Sequence, residues 1–125
     1  MAIQLNHTIV WSKDKQASAR FLTELLGLPE AKPFGPFLVV KLDNDVSLDF
    51  YEQDETQLQH YAFLMTEAEF DTIFARIRER GLQYWADPGK TKPGEIYRMF
   101  GGRGVYFDDP SGHLLEIMTK PYGGS

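Results

Sequence analysis

The sequence contains no cysteine among its 125 residues, and it contains only three histidines. The absence of cysteine excludes disulfide bonds, thiolate catalysis and cysteine-ligated zinc, and it fits a reducing compartment. No apolar run approaches the roughly 20 residues that a membrane-spanning helix needs. The N-terminal stretch MAIQLNHTIV has no basic segment followed by a long apolar run, so we expect no signal peptide. These absences predict a soluble cytoplasmic protein that has no membrane partner.

Blocks of like charge are also missing from the chain. The formal net charge is −5, and acidic and basic residues are interspersed, which argues against a nucleic-acid partner. The composition is 42% hydrophobic and 14% aromatic, which is enough for a real core. We therefore expect one domain, residues 1–125, that acts on a small molecule.

The two halves of this domain show the same order of predicted elements. In the first half, about 3–52, a strand at 3–11 precedes a helix that Ser12 or Asp14 can cap and Gly27 can end. Two further strands, at 36–42 and 46–52, then form a hairpin, and the segment 29–35 has room for a short strand. Chance similarity between α+β segments is the competing interpretation.

The second half, about 57–119, repeats this order. A strand at 59–65 leads into a helix with a possible capping box of Thr66 and Glu69, and a short strand and a closing hairpin follow. His7 lies 20 residues before Gly27 (27 − 7), and His60 lies 21 residues before Gly81 (81 − 60). The two histidines therefore occupy equivalent positions, which favours duplication over chance.

Strand alternation assigns the polar residues to one face of each half. Side chains of a strand point alternately to opposite faces, so Glu116 shares a face with Leu114 and Met118. A buried carboxylate is costly unless a cation accompanies it. Two imidazoles and one carboxylate are a common ligand set for a divalent metal such as Fe, Mn, Ni, Zn or Co. The polar faces carry His7, His60, Glu116, Asp49 and Ser47, and the first three predict one metal site; a lone strand histidine is otherwise structural or exposed.

The candidates for substrate binding are Trp11, Ser47, Arg98 and Arg103. Trp11 shares its face with His7 and lines either the pocket or the core. The segment 86–102 is predicted to be a long irregular loop with a local surplus of basic residues, as in a substrate-binding lid. Within and after it, Arg98 and Arg103 flank the closing strand, so they are the preferred partners of a substrate anion.

The motifs LNHTIV, QHYAFLMTEAEF and YFDDPSGHLLE resemble the vicinal oxygen chelate superfamily, which includes glyoxalase, bleomycin resistance proteins and extradiol dioxygenases. The likeness covers nearly the whole chain and is closest to the fosfomycin-modifying thiol transferases. It implies an α+β fold of paired βαβββ units that form a cupped, mostly antiparallel sheet with helices on the outer face. It also implies a homodimer, a metal held by His7, His60 and Glu116, and a substrate-facing Tyr106.

The chain departs from each branch of this superfamily. Ala86 stands where the fosfomycin enzymes have a lysine, and their C-terminal arginine has no counterpart in PYGGS. Extradiol enzymes use further histidines, whereas His113 is the only other one here and lies in a turn. Glyoxalase uses a fourth ligand, a glutamate, where the nearest candidate is Asp49, which is one methylene shorter. Bleomycin-binding members lack the metal triad.

These observations lead to one functional expectation and two alternatives. We expect a metal-dependent lyase, isomerase or transferase whose substrate chelates the metal through two adjacent oxygens, with Lewis-acid stabilisation of an enolate or oxyanion. Tyr106 and Asp49 are the expected catalytic groups, as a hydrogen-bond donor and a base. The first alternative is a non-haem Fe(II) dioxygenase of extradiol type. The second is a small-molecule or drug-binding protein without a metal.

Overall fold

Each half of the chain folds as a strand, a helix and a set of antiparallel strands. The computed structural model describes residues 3–122. Its contacts divide the chain between Gln57 and Leu58 into an N-terminal unit and a C-terminal unit. In both units the first strand runs parallel to the last, and the strands between them are antiparallel. The expected α+β architecture of paired βαβββ units is confirmed.

The N-terminal unit is a four-stranded mixed sheet with one helix. Its strands follow the order β1-β4-β3-β2, so the first strand of the unit pairs with its last. The segment between residues 29 and 35, in which a short strand was possible, contains β2. The elements are β1 His7–Ser12, α1 Lys15–Leu26, β2 Lys32–Phe34, β3 Phe37–Lys41 and β4 Ser47–Glu52.

The helix α1 begins and ends where local chemistry predicts. The Asp14 carboxylate accepts the N–H groups of Gln16 and Ala17, 3.1 Å from each, so Asp14 rather than Ser12 is the N-cap. Gly27 adopts a left-handed conformation with φ 71°, as glycine does readily at a helix end. Side chains of α1 and of β1, β3 and β4 form the core of this unit: Val10, Ala19, Leu22, Leu25, Val40, Leu48 and Phe50.

The C-terminal unit has one more strand than the N-terminal unit. Four strands follow the order β5-β9-β8-β6, and a short additional strand, β7, also pairs with β8. The elements are β5 His60–Leu64, α2 Glu67–Glu79, β6 Tyr84–Trp85, β7 Tyr97–Met99, β8 Gly102–Asp108 and β9 Leu114–Met118.

The helix α2 covers one face of this sheet. Its capping box is present as predicted, because Thr66 and Glu69 each accept the other's backbone N–H. Its Phe74 ring packs edge-on against Tyr84 of β6, with centroids 5.1 Å apart. The core on this face comprises Phe70, Ile73, Ile77, Val105, Phe107, Leu115 and Ile117. The opposite face of the sheet carries His60, Glu116 and Tyr106, and the apolar side chains of Leu114 and Met118 lie beside them.

Two boundaries differ from the sequence-based expectation. Residues 3–6 precede β1 and are not part of the strand, since its ladder with β4 begins only at His7, opposite Ser47. The segment 86–102, expected to be irregular, contains β7 and a two-residue hairpin turn. Phe100 and Gly101 both have positive φ there, 57° and 78°, as a type I′ turn requires. Among residues 3–122, neither helix is long and apolar enough to cross a bilayer.

Candidate functional site

One row of side chains crosses the polar face of the C-terminal unit. Ala62 of β5 is opposite Glu116 of β9, which is opposite Tyr106 of β8, which is opposite Trp85 of β6. His60 lies two residues before Ala62, so it projects from the same face. Sequence alternation had predicted that His60 and Glu116 share a face, and the strand register makes them neighbours.

Glu116 is the centre of a hydrogen-bond cluster. Its side chain is completely buried, yet both carboxylate oxygens have partners. Oε2 accepts the hydroxyl of Tyr97, and Oε1 accepts the hydroxyl of Tyr122 at 2.9 Å. The Tyr122 hydroxyl also lies 3.2 Å from that of Tyr106. Phenols thus satisfy hydrogen-bonding capacity of the carboxylate, but they supply no positive charge.

In the neutral imidazole of His60, the nitrogen that faces the Glu116 carboxylate, Nε2, carries no proton. Its Nδ1 lies 3.0 Å from the carbonyl oxygen of Leu114. Because a carbonyl only accepts, Nδ1 carries the proton, which leaves a lone pair on Nε2. That Nε2 lies 3.1 Å from Oε1 of Glu116. Two electron-rich atoms therefore face each other, and a positive species must accompany them: a second proton on the imidazole or a metal ion.

The donor set fits a divalent cation. Zinc binds imidazole nitrogen and carboxylate oxygen at about 2.0–2.2 Å, so two ligands of one ion lie roughly 3.0–3.5 Å apart, a range that includes the 3.1 Å seen here. Fixing Nδ1–H on a backbone carbonyl is also the usual way in which proteins orient a metal-binding histidine. The His60 side chain is 43% exposed, so the pair lies at the edge of the buried cluster and not deep inside it.

The phenols around Glu116 remain protonated at physiological pH. Burial, and then the hydrogen bond to Glu116, raises the pKa of Tyr97 well above its ordinary value. Burial also raises the pKa of Tyr106, with added contributions from Tyr122 and Glu116. Both side chains therefore act as hydrogen-bond donors. Tyr106, expected to face a substrate, has its ring centroid 5.7 Å from that of His60.

The N-terminal unit places its predicted residues in the same pattern. In β1 and β4, His7 is opposite Ser47 and Ile9 is opposite Asp49. In β5 and β9, Ala62 is opposite Glu116. In each unit, therefore, the carboxylate is paired with the residue that lies two positions after that unit's histidine. The duplication inferred from the histidine spacing thus extends to the carboxylates.

His7 shares with His60 a fixed Nδ1 proton. Its Nδ1 lies 2.8 Å from the side-chain oxygen of Asn6, which leaves Nε2 available. The Asp49 carboxylate accepts the Ser47 hydroxyl at 3.1 Å. Within each unit, taken over residues 3–122, no three metal-ligating side chains gather. Since His7 belongs to the N-terminal unit, the three-ligand site stays a prediction.

The remaining candidates have defined surroundings. Trp11 is half-buried and packs edge-on against Tyr51, with centroids 5.4 Å apart. Arg98 is exposed in β7, opposite Arg103. Arg103 bonds Glu67 at 2.7 Å and Asp71 at 2.8 Å, and its guanidinium lies 4.5 Å from the Phe70 ring centroid. Two carboxylates of α2 thus already balance the charge of Arg103, and a substrate anion would have to compete with them for the guanidinium.

Sequence reasoning missed two residues of the cluster. Tyr97 was not predicted because its strand has only three residues and lies in a segment rich in glycine and proline, where no strand was expected. The glycines of β8 were the available signal, since a glycine in a strand indicates close approach of another group. Tyr122 follows the last strand and had no local signal. Both reach Glu116 through the tertiary fold.

His113 has a structural place outside the cluster. It is fully buried, and its Nδ1 accepts the backbone N–H of Gln59 at 3.0 Å. Its own N–H and that of Ser111 are accepted by Oδ1 of Asp109, which forms the turn predicted for this stretch. The turn therefore anchors the residue that precedes His60.

Similar solved structures cover the whole length of the chain. Oxidase ChaP-H1 is 63% identical and aligns with a TM-score of 0.95 over 98% of this chain and 100% of its own. Oxidase ChaP-H2 is 57% identical, with a TM-score of 0.96 over 100% of both chains. At these identities the similarity extends beyond a shared fold.

The sequence also matches a family model and a characterised relative. The model of the Glyoxalase/Bleomycin resistance protein/Dioxygenase superfamily matches residues 4–117. "Glutathione transferase FosA" of Serratia marcescens is 32% identical over 143 aligned positions, which cover 99% of this chain and 94% of that protein. This relative agrees with the resemblance to fosfomycin-modifying enzymes seen in the sequence. The chain belongs to the Glyoxalase/Bleomycin resistance protein/Dioxygenase superfamily.

Proposed function

We propose that this protein is a metal-dependent oxidase that uses dioxygen to oxidise a small substrate with adjacent oxygen atoms. The general class, a metalloenzyme of this superfamily, is supported by the family membership. Oxidation is favoured over the transferase chemistry first expected because the relative at 63% identity over the full length is an oxidase, whereas the transferase is 32% identical. The alternative considered from the sequence, a non-haem Fe(II) dioxygenase of extradiol type, also uses dioxygen and is the other redox outcome of the test below.

The observation that carries the proposal is the pair formed by His60 and Glu116. A buried carboxylate oxygen and an imidazole nitrogen that is unprotonated in the neutral ring lie 3.1 Å apart, with no lysine or arginine bonded to this carboxylate among the residues described in the C-terminal unit. That arrangement is costly without a cation. His60 and Glu116 would hold the metal, and His7 is proposed as the third ligand. A bound Fe(II) would supply the site at which substrate and dioxygen exchange electrons.

The protein's own groups orient the substrate. Tyr106 lies beside Glu116 in the sheet and stays protonated, so its hydroxyl can donate a hydrogen bond to a substrate oxygen. Asp49, held by Ser47, is proposed as the base that takes the substrate proton. Trp11 is proposed to line the substrate pocket, and Arg98 to pair with an anionic substituent. Positions on the polar faces of their strands support the roles of Tyr106, Asp49 and Trp11. Arg98 projects, like its pair Arg103, from the face of the sheet that carries α2, so only its exposure supports its role.

Metal analysis and oxygen uptake test the proposal together. Protein purified without oxygen should contain about one Fe(II) per chain and should consume dioxygen with a substrate such as a catechol. In an oxidase reaction the substrate loses two electrons and two protons, and dioxygen gains them to become hydrogen peroxide. In a dioxygenase reaction both oxygen atoms enter the product. Peroxide equal to the oxygen consumed supports the oxidase; oxygen-18 in the product supports the dioxygenase.

A second candidate is addition of a thiol to an epoxide. The similarity to Glutathione transferase FosA over nearly the whole of both chains favours it. It requires a metal that acts only as a Lewis acid, such as Mn²⁺, and no oxygen. Conversion of an epoxide by thiol under anaerobic conditions, with Mn bound and no oxygen demand, would replace the oxidase proposal. A protein that takes up no metal but binds such ligands would instead be a small-molecule-binding member of the superfamily.

Oligomeric state and cellular location also belong to this proposal. We propose a cytoplasmic homodimer, as the superfamily resemblance implies. Light scattering of the purified chain tests the dimer, which should have twice the 14.3 kDa mass of one chain.

A further inference from the structure

We propose that two tyrosines bind different oxygens of Glu116 and have opposite effects on cation binding there. Tyr97 fixes Oε2 and thereby positions the carboxylate for a cation, whereas Tyr122 occupies Oε1 and opposes cation binding until it is displaced. The inference rests on the proposed function, because it concerns the same pair of His60 and Glu116. It adds two positioning residues to that site.

Tyr97 is built into the sheet as a fixed donor. It is 8% exposed and stands opposite Gly104 in the pairing of β7 with β8. Its ring crosses the place where a side chain at Gly104 would lie, and this brings its hydroxyl to Oε2 of Glu116. A hydrogen bond to a buried carboxylate is among the stronger ones in proteins. Because Oε2 is held in this way, Oε1 is the oxygen turned to His60.

Tyr122 holds the other oxygen far less firmly. It is 56% exposed, and it follows β9 rather than belonging to a strand. Its hydroxyl donates to Oε1 at 2.9 Å, the oxygen that lies 3.1 Å from Nε2 of His60. Its ring otherwise contacts Phe100 at the tip of the β7–β8 hairpin, with centroids 6.0 Å apart. Phe100 is itself 46% exposed, so this ring contact leaves both rings largely in solvent.

The two hydroxyls should therefore have opposite effects on a cation. A donor on Oε2 orients the carboxylate without covering the oxygen that would bind the ion, and such supporting bonds raise metal affinity. A donor on Oε1 withdraws electron density from that oxygen, and its hydrogen bond has to be broken before an ion binds there. Release of Tyr122 also frees the hydroxyl of Tyr106, 3.2 Å away, to meet a ligand.

Titration of the metal-free full-length chain with Mn²⁺, followed by electron paramagnetic resonance, tests the proposal. Tyr97→Phe should weaken Mn²⁺ binding roughly 10- to 100-fold. Tyr122→Phe should strengthen it about threefold to tenfold, the effect of a single hydrogen bond that no longer has to be broken. Tyr84→Phe is the matched control, since the Tyr84 ring packs against α2 on the other side of the sheet, and it should leave affinity unchanged.

The signs of these changes separate the inference from a merely structural role, which would weaken binding in both variants. Weaker binding by Tyr122→Phe, or unchanged binding by Tyr97→Phe in a wild-type protein that binds Mn²⁺, overturns the inference alone. Wild-type protein that binds neither Mn²⁺ nor Fe²⁺ overturns the proposed function as well. Urea unfolding checks that each variant is folded. If Tyr97→Phe is not folded, the direction of the change in Mn²⁺ affinity of Tyr122→Phe decides, because that side chain is exposed.

Discussion

The ring of Tyr97 takes the space that a side chain at Gly104 would need. The two residues are paired across β7 and β8, and an added Cβ would collide with the ring and hydroxyl of Tyr97. Gly104→Ala should therefore displace Tyr97 and lower the free energy of unfolding by about 1–3 kcal/mol, the usual cost of overpacking. Urea denaturation measures this loss, and weaker Mn²⁺ binding should accompany it.

Gly89→Ala is the control for this substitution. An added Cβ there would come no closer than 3.4 Å to Asp87, which is ordinary contact, so stability should change little. If Gly104→Ala were as stable as Gly89→Ala and bound Mn²⁺ as the wild type does, the ring of Tyr97 would be free to move aside.

His60 and His113 should separate metal binding from folding. His60→Ala removes a half-exposed ring that faces Glu116, so metal content should fall to background while stability changes little. His113→Ala removes a fully buried ring and the acceptor of the Gln59 N–H, so it should cost at least about 2 kcal/mol. Elemental analysis and urea denaturation of both variants measure the two effects. Full metal occupancy in His60→Ala would contradict the site.

Arg103→Met tests whether this guanidinium serves the fold or a substrate. Its bonds to Glu67 and Asp71 link β8 to α2, but both carboxylates are largely exposed, so we expect a small loss of stability. That loss should shrink at about 1 M salt, where exposed charges are screened. Denaturation at low and high salt measures it, with Arg98→Met as a control on the paired strand. Lost activity with unchanged stability would restore the substrate-binding role.

Asp109 should make stability depend on pH. Burial is the main cause that raises its pKa above the value of the unfolded chain, although His113 and backbone N–H groups oppose the shift. The unfolded chain thus ionises first, and stability from this group is present in acid and is lost as pH rises through the folded pKa. Asp109→Asn removes the charge and keeps the Oδ1 acceptor. Its stability relative to wild type should therefore increase from about pH 3 upward and then level off.

Urea denaturation across that pH range measures the effect. A difference between Asp109→Asn and wild type that does not vary with pH would show that ionisation of the buried carboxylate carries no penalty. The nearby Tyr61, whose pKa is raised by burial and then by the Asp109 charge, titrates at much higher pH and does not interfere.

Local sequence determined the elements of this protein and the face that each strand residue takes. The helix caps at Asp14, Thr66 and Gly27 depend on side chains and backbone within a few residues. Likewise, alternation along each strand put His60 on the face opposite Tyr61 and Phe63, and Glu116 on the face opposite Leu115 and Ile117, because a strand has a period of two. The spacing of His7 and His60 from the following glycines indicated the duplication, because such spacing can be counted along the chain without knowledge of the fold.

Only the tertiary structure decided what surrounds Glu116. Tyr97 lies 19 positions before it, and Tyr122 six positions after it, and neither distance has a meaning until the register of β7, β8 and β9 is known. Arg103 likewise binds carboxylates on α2, 32 and 36 positions away in the sequence. Such contacts depend on strand register and on the missing side chain at Gly104. The glycines of β8 signal that some group comes close, but not which residue it belongs to.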